Sequence, residues 1–164
     1  MFSTTRPHKD TTLPMLNSQL YNEQSFYAAF ARDLKSARHS IIIESPFITT
    51  RRLDQLYLMF ESATRRGVRI LINTRNPESH ETIMQEQTIN DINMLQSLGI
   101  RVLYTSNHHR KLAIIDHGIL WEGSLNILSQ NDSCEVMRRM DSPELVEQMI
   151  KFTALTEWYT KDTL

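Results

Sequence analysis

The chain contains one cysteine, Cys134. An intrachain disulfide is therefore impossible, and zinc sites built on several cysteines are excluded, which suits a reducing compartment. Net charge is also scarce: 18 Lys and Arg against 19 Asp and Glu leave about −1. No strong overall field draws the protein to a polyanion, so any such site must be a local concentration of arginine and lysine. Long apolar runs are missing too. The opening MFSTTRPHKDTTLPML offers none that would serve as a signal peptide, and no stretch approaches membrane-spanning length. Internal repeats and low-complexity segments are absent as well. The expectation from these absences is a cytoplasmic, soluble protein without membrane contact, whether complete or one domain of a longer chain.

The 164 residues fit one domain with a real hydrophobic core. Residues 1–16, rich in Thr and Pro and without periodicity, read as a flexible N-terminal arm, and 17–164 as a single domain. From about Asn22, Phe26, Phe30 and Leu34 recur on one face of a helix that ends near Ala37. Ile41–Ile43 form a β-branched run typical of a strand covered on both faces, closed by Pro46. A second helix follows, with Thr50 as cap, Leu53, Leu56, Tyr57 and Phe60 on one face and Gly67 at its end. VRILINTR is a strand. Residues 79–98 form a third helix with Ile83, Ile89, Ile92 and Leu95 inward, and RVLYTS is the next strand. Then the alternation stops. KLAIID and ILWEGSL are strand-like runs joined by the turn signal Asp116-His117-Gly118, EVMRRM is one more strand, and residues 141–159 form a last helix capped by Asp141 or Ser142 with Pro143 in its first turn. Strands separated by helices pair in parallel with right-handed crossovers. The expected fold class is α/β, a mixed, mostly parallel sheet flanked by helices on both faces.

Polar residues cluster in HHRKLAIIDHGILWEGSLN, residues 108–126. On a strand, residues two apart face the same way. His109 and Lys111 would then share one side, and His108 and Arg110 the other; Ser124 and Asn126 share a side on the return. A hairpin bringing the pairs together would gather an imidazole, an ammonium, a hydroxyl and an amide. Such a set suits a tetrahedral anion with a nucleophile beside it, and Gly123 would let another backbone or a ligand come close.

His109-x-Lys111-x4-Asp116-x6-Gly123-Ser124-x-Asn126 resembles the HKD signature of the phospholipase D superfamily. Six specified positions would match by chance in about one of 10⁵ to 10⁶ chains of this length. IIIESPFIT is similar to the family's first strand, and ATRRGVRILIN to its helix-to-strand junction. The resemblance covers roughly residues 20–160 and implies a phospholipase D-like fold. It also implies a chemistry: a neutral histidine attacks phosphorus, a second histidine protonates the leaving oxygen, and water then releases the phosphohistidine. Lysine and asparagine stabilise the phosphoryl charge, with no metal or other cofactor. This chain has one motif; His8-Lys9 has the wrong spacing to be another. Two histidines must meet at one phosphate, so the expectation is a homodimer with a shared site. Single-motif members of about this length resemble small nucleases.

The same resemblance gives Glu135, nine residues after Asn126, the role of orienting His109. Asp116 would fix the hairpin or a partner group as part of the catalytic set, and Ser124 would hold partner residues or a phosphate oxygen. Arg110, beside the motif, and Arg51 and Arg52, after the first strand, are candidate substrate contacts. Simpler readings stand beside these. His108 reads as a residue of the opposite strand face. Arginine pairs are more often solvated charge than a groove. Cys134 reads as a small packed residue, and His80-Glu81 lacks a second zinc-binding histidine because Met84 stands in its place. The function read from the sequence is a metal-independent nuclease acting on DNA or RNA. The alternatives are a phospholipid hydrolase or phosphatidyltransferase, and a catalytically silent nucleic-acid-binding module.

Overall fold

Apolar spacing decides where the chain coils and where it extends. The computed structural model describes residues 17–79, 82–130 and 132–155; the arm expected at 1–16 lies outside them. The first element is strand β1 (Ser18–Asn22), where no strand was expected. The Asn22 side-chain carbonyl accepts the N–H groups of Gln24 and Ser25, at 3.2 and 3.0 Å. That turn delays helix α1 to Phe26–Ser36, later than its apolar periodicity suggests. Strand β2 (Ser40–Glu44) is buried throughout. Helix α2 (Thr50–Arg65) starts after Thr49, and Gly67 closes it in the left-handed region. Thr50 does not cap it: its hydroxyl donates instead to the Asp91 carboxylate at 3.0 Å.

Strand β3 (Arg69–Thr74), helix α3 (Thr82–Ser97) and strand β4 (Arg101–Tyr104) complete the alternating half. The inward face of α3 runs Thr88, Asp91, Ile92, Leu95, so Ile89, expected inside, sits beside that face and is exposed. The side chain of Ile83 lies outside the described residues. Strands β5 (Leu112–Ile115), β6 (Ile119–Gly123) and β7 (Val136–Asp141) follow. Helix α4 (Pro143–Phe152) begins at Ser142, whose hydroxyl accepts the Leu145 N–H at 3.3 Å. It stops well short of residue 159: Thr153 ends the helix and Ala154 turns left-handed at φ 56°.

The sheet runs β1-β7-β6-β5-β2-β3-β4. It is mixed, with helices on both faces, but parallel pairing is the minority. Only β2–β3 and β3–β4 are parallel, while β2–β5, β5–β6, β6–β7 and β7–β1 are antiparallel. Helical crossovers enforce parallel pairing as far as β4; after that, connections without helices (105–111, 116–118 and 124–135) join the strands, and β1 adds a further antiparallel edge.

Helices α1, α2 and α3 cover one face, packing Phe26, Phe30, Leu53, Phe60 and Leu95 on Ile41, Ile43, Ile72 and Trp121. Helix α4 covers the other, over Ile42, Ile114, Leu120 and Met140. Neighbours along β2 thus serve opposite cores. Trp121 is the centre of the larger core, edge-on to Phe26 with ring centroids 5.1 Å apart. Its indole N–H donates at 2.8 Å to Asp33, whose charge Arg139 balances. Among the described residues no helix is long and apolar enough to cross a membrane.

Candidate active site

The register gathers the polar stretch at one edge of the sheet. Glu44, Thr74 and Tyr104 end β2, β3 and β4 there, with Asn73 paired to Glu44; Gly123 ends β6, and Leu112 and Val136 begin β5 and β7. Two loops at this edge carry candidate residues: 105–111 holds His108 to Lys111, and 124–135 holds Ser124, Asn126 and Glu135.

The segment 108–111 is not strand; β5 begins only at Leu112. Even so, the neighbours separate. His108 is 2% exposed, and His109 is exposed. The His109 ring hydrogen-bonds to no described residue. Lys111 Nζ donates to the His109 carbonyl at 2.7 Å, and the Gly123 N–H reaches the Lys111 carbonyl at 3.3 Å, which joins the two halves of the motif. Gly123 is required by its neighbour strand: a Cβ there would lie 2.0 Å from the Val136 carbonyl oxygen. The expected close approach is therefore that of a backbone.

Beyond Gly123, Leu125, Ile127 and Leu128 are fully buried in the larger core. They fix Asn126 between them. The Leu128 N–H donates to Ser45 Oγ at 3.1 Å, and its carbonyl accepts the Thr49 N–H at 2.9 Å. Asn126 Oδ1 is buried without a partner among the described residues. Such an orphan costs roughly 1–3 kcal/mol unless something fills it. Ser124 pins β6 to β7: its N–H donates to the Val136 carbonyl at 2.9 Å and its hydroxyl accepts the Val136 N–H at 3.1 Å.

Other candidates sit differently from expectation. Asp116 lies past the far end of β5, at the opposite edge of the sheet, so it is not a member of the catalytic set. Its carboxylate accepts the backbone N–H groups of Arg38, His39 and Ser40 at 2.8, 2.7 and 2.9 Å. Burial pushes its pKa up, but the three N–H groups outweigh this and hold it below the usual carboxylate range. Its work is to fasten the β5–β6 turn to the start of β2.

Glu135 does not orient His109 within the chain. Its carboxylate accepts Ser133 Oγ at 2.8 Å, and its N–H donates to Glu23 at 3.0 Å. It precedes β7, and β6 lies between β7 and β5, whereas His109 leads into β5. Arg52 is structural. Its guanidinium stacks 3.7 Å from the centre of the Tyr27 ring, bonds Gln55 and donates to the Gln130 carbonyl at 2.8 Å. Arg51 is exposed in the first turn of α2. Arg110 is drawn inward: its Nε and Nη2 both bond the Glu44 carboxylate, Nη2 at 2.7 Å. Cys134 is exposed rather than packed.

The sequence reading missed Glu44 and its surroundings. Glu44 is fully buried, and Asn73 Nδ2 donates to it at 2.8 Å. The only signal was a carboxylate closing the apolar run Ile41–Ile43. Burial pushes the His108 pKa below its ordinary value, with nearby Glu44 pulling the other way. Among the described residues no three His, Cys, Asp or Glu side chains converge as a metal site would require.

A family model described as "Cardiolipin synthase, PLD-like domain" matches residues 30–155. Among solved structures, the chain is similar to Nuc from Salmonella typhimurium, a phospholipase D family member. The TM-score is 0.68 at 19% identity, over 84% of this chain and 91% of that one. It is similar to NucT from Helicobacter pylori, with a TM-score of 0.67 at 21% identity over 84% and 92% of the two chains. It also resembles phosphatidylserine synthase of Haemophilus influenzae Rd KW20, with a TM-score of 0.64 at 13% identity. That match covers 85% of this chain and 38% of the synthase. No curated protein sequence matches it.

Proposed function

The chain belongs to the phospholipase D superfamily of phosphodiesterase-type enzymes, and from that premise we propose that it is a metal-independent nuclease, cleaving DNA or RNA at a site completed by a second copy of itself. One observation carries this reading. His109 presents an exposed ring, unbonded to any described residue, at the sheet edge where Lys111 and Asn126 also lie, and the chain has only one such motif.

In the proposed reaction a His109 nitrogen attacks phosphorus and the bond to the leaving oxygen breaks. His109 of the second copy gives that oxygen its proton. Water then attacks the phosphohistidine, passes its proton to that second histidine, and the phosphorus–nitrogen bond breaks. Lys111 and Asn126 donate to the non-bridging oxygens as charge builds on them. For the lysine this requires exchanging the His109 carbonyl for phosphate. Asn126 would donate through its Nδ2. Ser124 keeps its hydroxyl proton available for the same anion.

The structural likeness supports a nuclease ahead of a lipid enzyme. The chain matches about nine-tenths of Nuc and of NucT, but well under half of the phosphatidylserine synthase. The phospholipid reading draws on the matched domain's description as cardiolipin synthase. Cleavage of single-stranded and duplex oligonucleotides in excess EDTA, with wild type beside His109→Ala, decides between them. Cleavage by wild type alone is expected. Folded but inactive wild type would overturn the nuclease reading, and hydrolysis of phospholipid vesicles would then replace it.

A further inference from the structure

Glu44 is a fully buried carboxylate at the edge of the sheet that carries the motif. A buried charge needs compensation, and here it is complete. Arg110 closes on it through two guanidinium nitrogens, and Asn73 donates to it from β3. Thr105 Oγ1, just past β4, donates at 2.9 Å to Asn73 Oδ1, so the network joins β2, β3 and both ends of the loop 105–111 through four groups.

The position of Arg110 gives this network a use. It lies between His109 and Lys111. The loop 105–111 has no ladder of its own, and Asn107 turns left-handed within it at φ 53°. Its backbone is held at the ends: the Thr105 N–H donates to the Thr74 carbonyl at 2.9 Å, and the Lys111 carbonyl accepts from Gly123. Between these anchors, the Arg110–Glu44 pair and the burial of His108 fix the chain. A two-pronged arginine–carboxylate bond fixes orientation as well as distance, which an ammonium would not do.

We infer that Glu44 is a positioning residue for the motif: through Arg110 it sets the backbone on which His109 and Lys111 project from the sheet edge. It acts without touching substrate. Arg110 accordingly is part of the support and not a phosphate contact. This rests on the nuclease reading for its effect on rate, though not for its effect on the loop.

The test compares wild type with Glu44→Gln, Arg110→Gln and the double variant Glu44→Gln/Arg110→Gln, whose paired amides leave no lone buried charge. Oligonucleotide cleavage is measured in EDTA, with hydrogen exchange of residues 105–112. Each single change is expected to lower kcat by about ten- to a hundredfold with KM within about twofold, the scale of a small misplacement of reacting groups. The double variant should be no slower than the slower single, because the two groups act as a unit. Amides of the loop should exchange faster while those of β6 stay protected. Folded variants with unchanged kcat would overturn the inference, as would effects that multiply. A raised KM at constant kcat would also overturn it, since that places Arg110 on the substrate. If wild type cleaves no oligonucleotide, the nuclease reading falls, and exchange alone decides: equal loop protection in wild type and Glu44→Gln overturns the positioning role.

Discussion

His108 and His109 are adjacent in sequence and opposite in environment, the first buried and the second exposed. Burial disfavours the charged form of His108. The unfolded chain takes up a proton near pH 6.5, where the folded one resists it. Stability is therefore full above that value and is lost as pH falls from about 6.5 towards the lowered pKa of the folded state. Urea midpoints at pH 7.5 and 5.5 should drop for wild type and drop less for His108→Gln. For the exposed partner the readout is turnover: His109→Ala should abolish it with the fold intact. Lys111→Ala and Asn126→Ala should each lower kcat by about 10²–10³, the usual effect of losing one donor to developing charge. At this scale the sequence was informative about chemical type and poor about partners. Alternation assigned His108 and His109 to opposite sides although the segment is not a strand, and the separation holds because Glu44 draws Arg110 inward while the buried His108 anchors the loop. Nothing in the local pattern announces a partner 66 residues away, nor the stacking of Arg52 on Tyr27.

At the scale of elements, the long periodic runs were legible: α1, α2, β2 and β3 follow from burial patterns that one face can satisfy. The misses have physical causes. SQLYN is a short edge strand of mixed polarity whose pairing with β7 comes from the far end of the chain. The parallel bias was an extrapolation from the βαβ half to a half made of hairpins. Ile89 was displaced from the inner face by Thr88 and Asp91. Two substitutions probe what holds the motif's strands. Gly123→Ala forces a Cβ against β7 backbone, and overpacking of this kind costs about 1–3 kcal/mol, read as a lower urea midpoint. Asp116→Ala strips three backbone N–H groups of one charged acceptor and should cost about 3 kcal/mol, on the scale of hydrogen bonds to charged groups. Because Asp116 is remote from the site, kcat of the remaining folded protein should stay near wild type, which a catalytic role would not permit.

Among the described residues, His109 is the one exposed histidine at the reactive edge, so the reaction proposed above would be a property of pairs. Sedimentation should show a dimer at working concentration, and specific activity should fall on dilution below its dissociation constant. A fully active monomer would contradict the shared site. With a net charge near −1, substrate affinity should be modest and decline with salt, the slope of log K against log[salt] counting the phosphates engaged. The layers explain why a single edge can hold this chemistry: α1–α3 and α4 close both faces, and the edge where β2, β3 and β4 end is left to the loops.

Asp116 has a further meaning when the motif is viewed as a measure of length. His109 and Asp116 stand at opposite ends of β5, one at the reactive rim and the other clasped by the start of β2. The interval between Lys111 and Asp116 is thus a gauge cut to a four-residue strand, Leu112–Ile115, with its side chains divided between two cores. Removing or adding one residue in that interval would break no catalytic contact directly, yet it would exchange Leu112 and Ile114 for Ala113 and Ile115 across the sheet. The spacing written into the signature is, on this view, a tolerance on the scaffold.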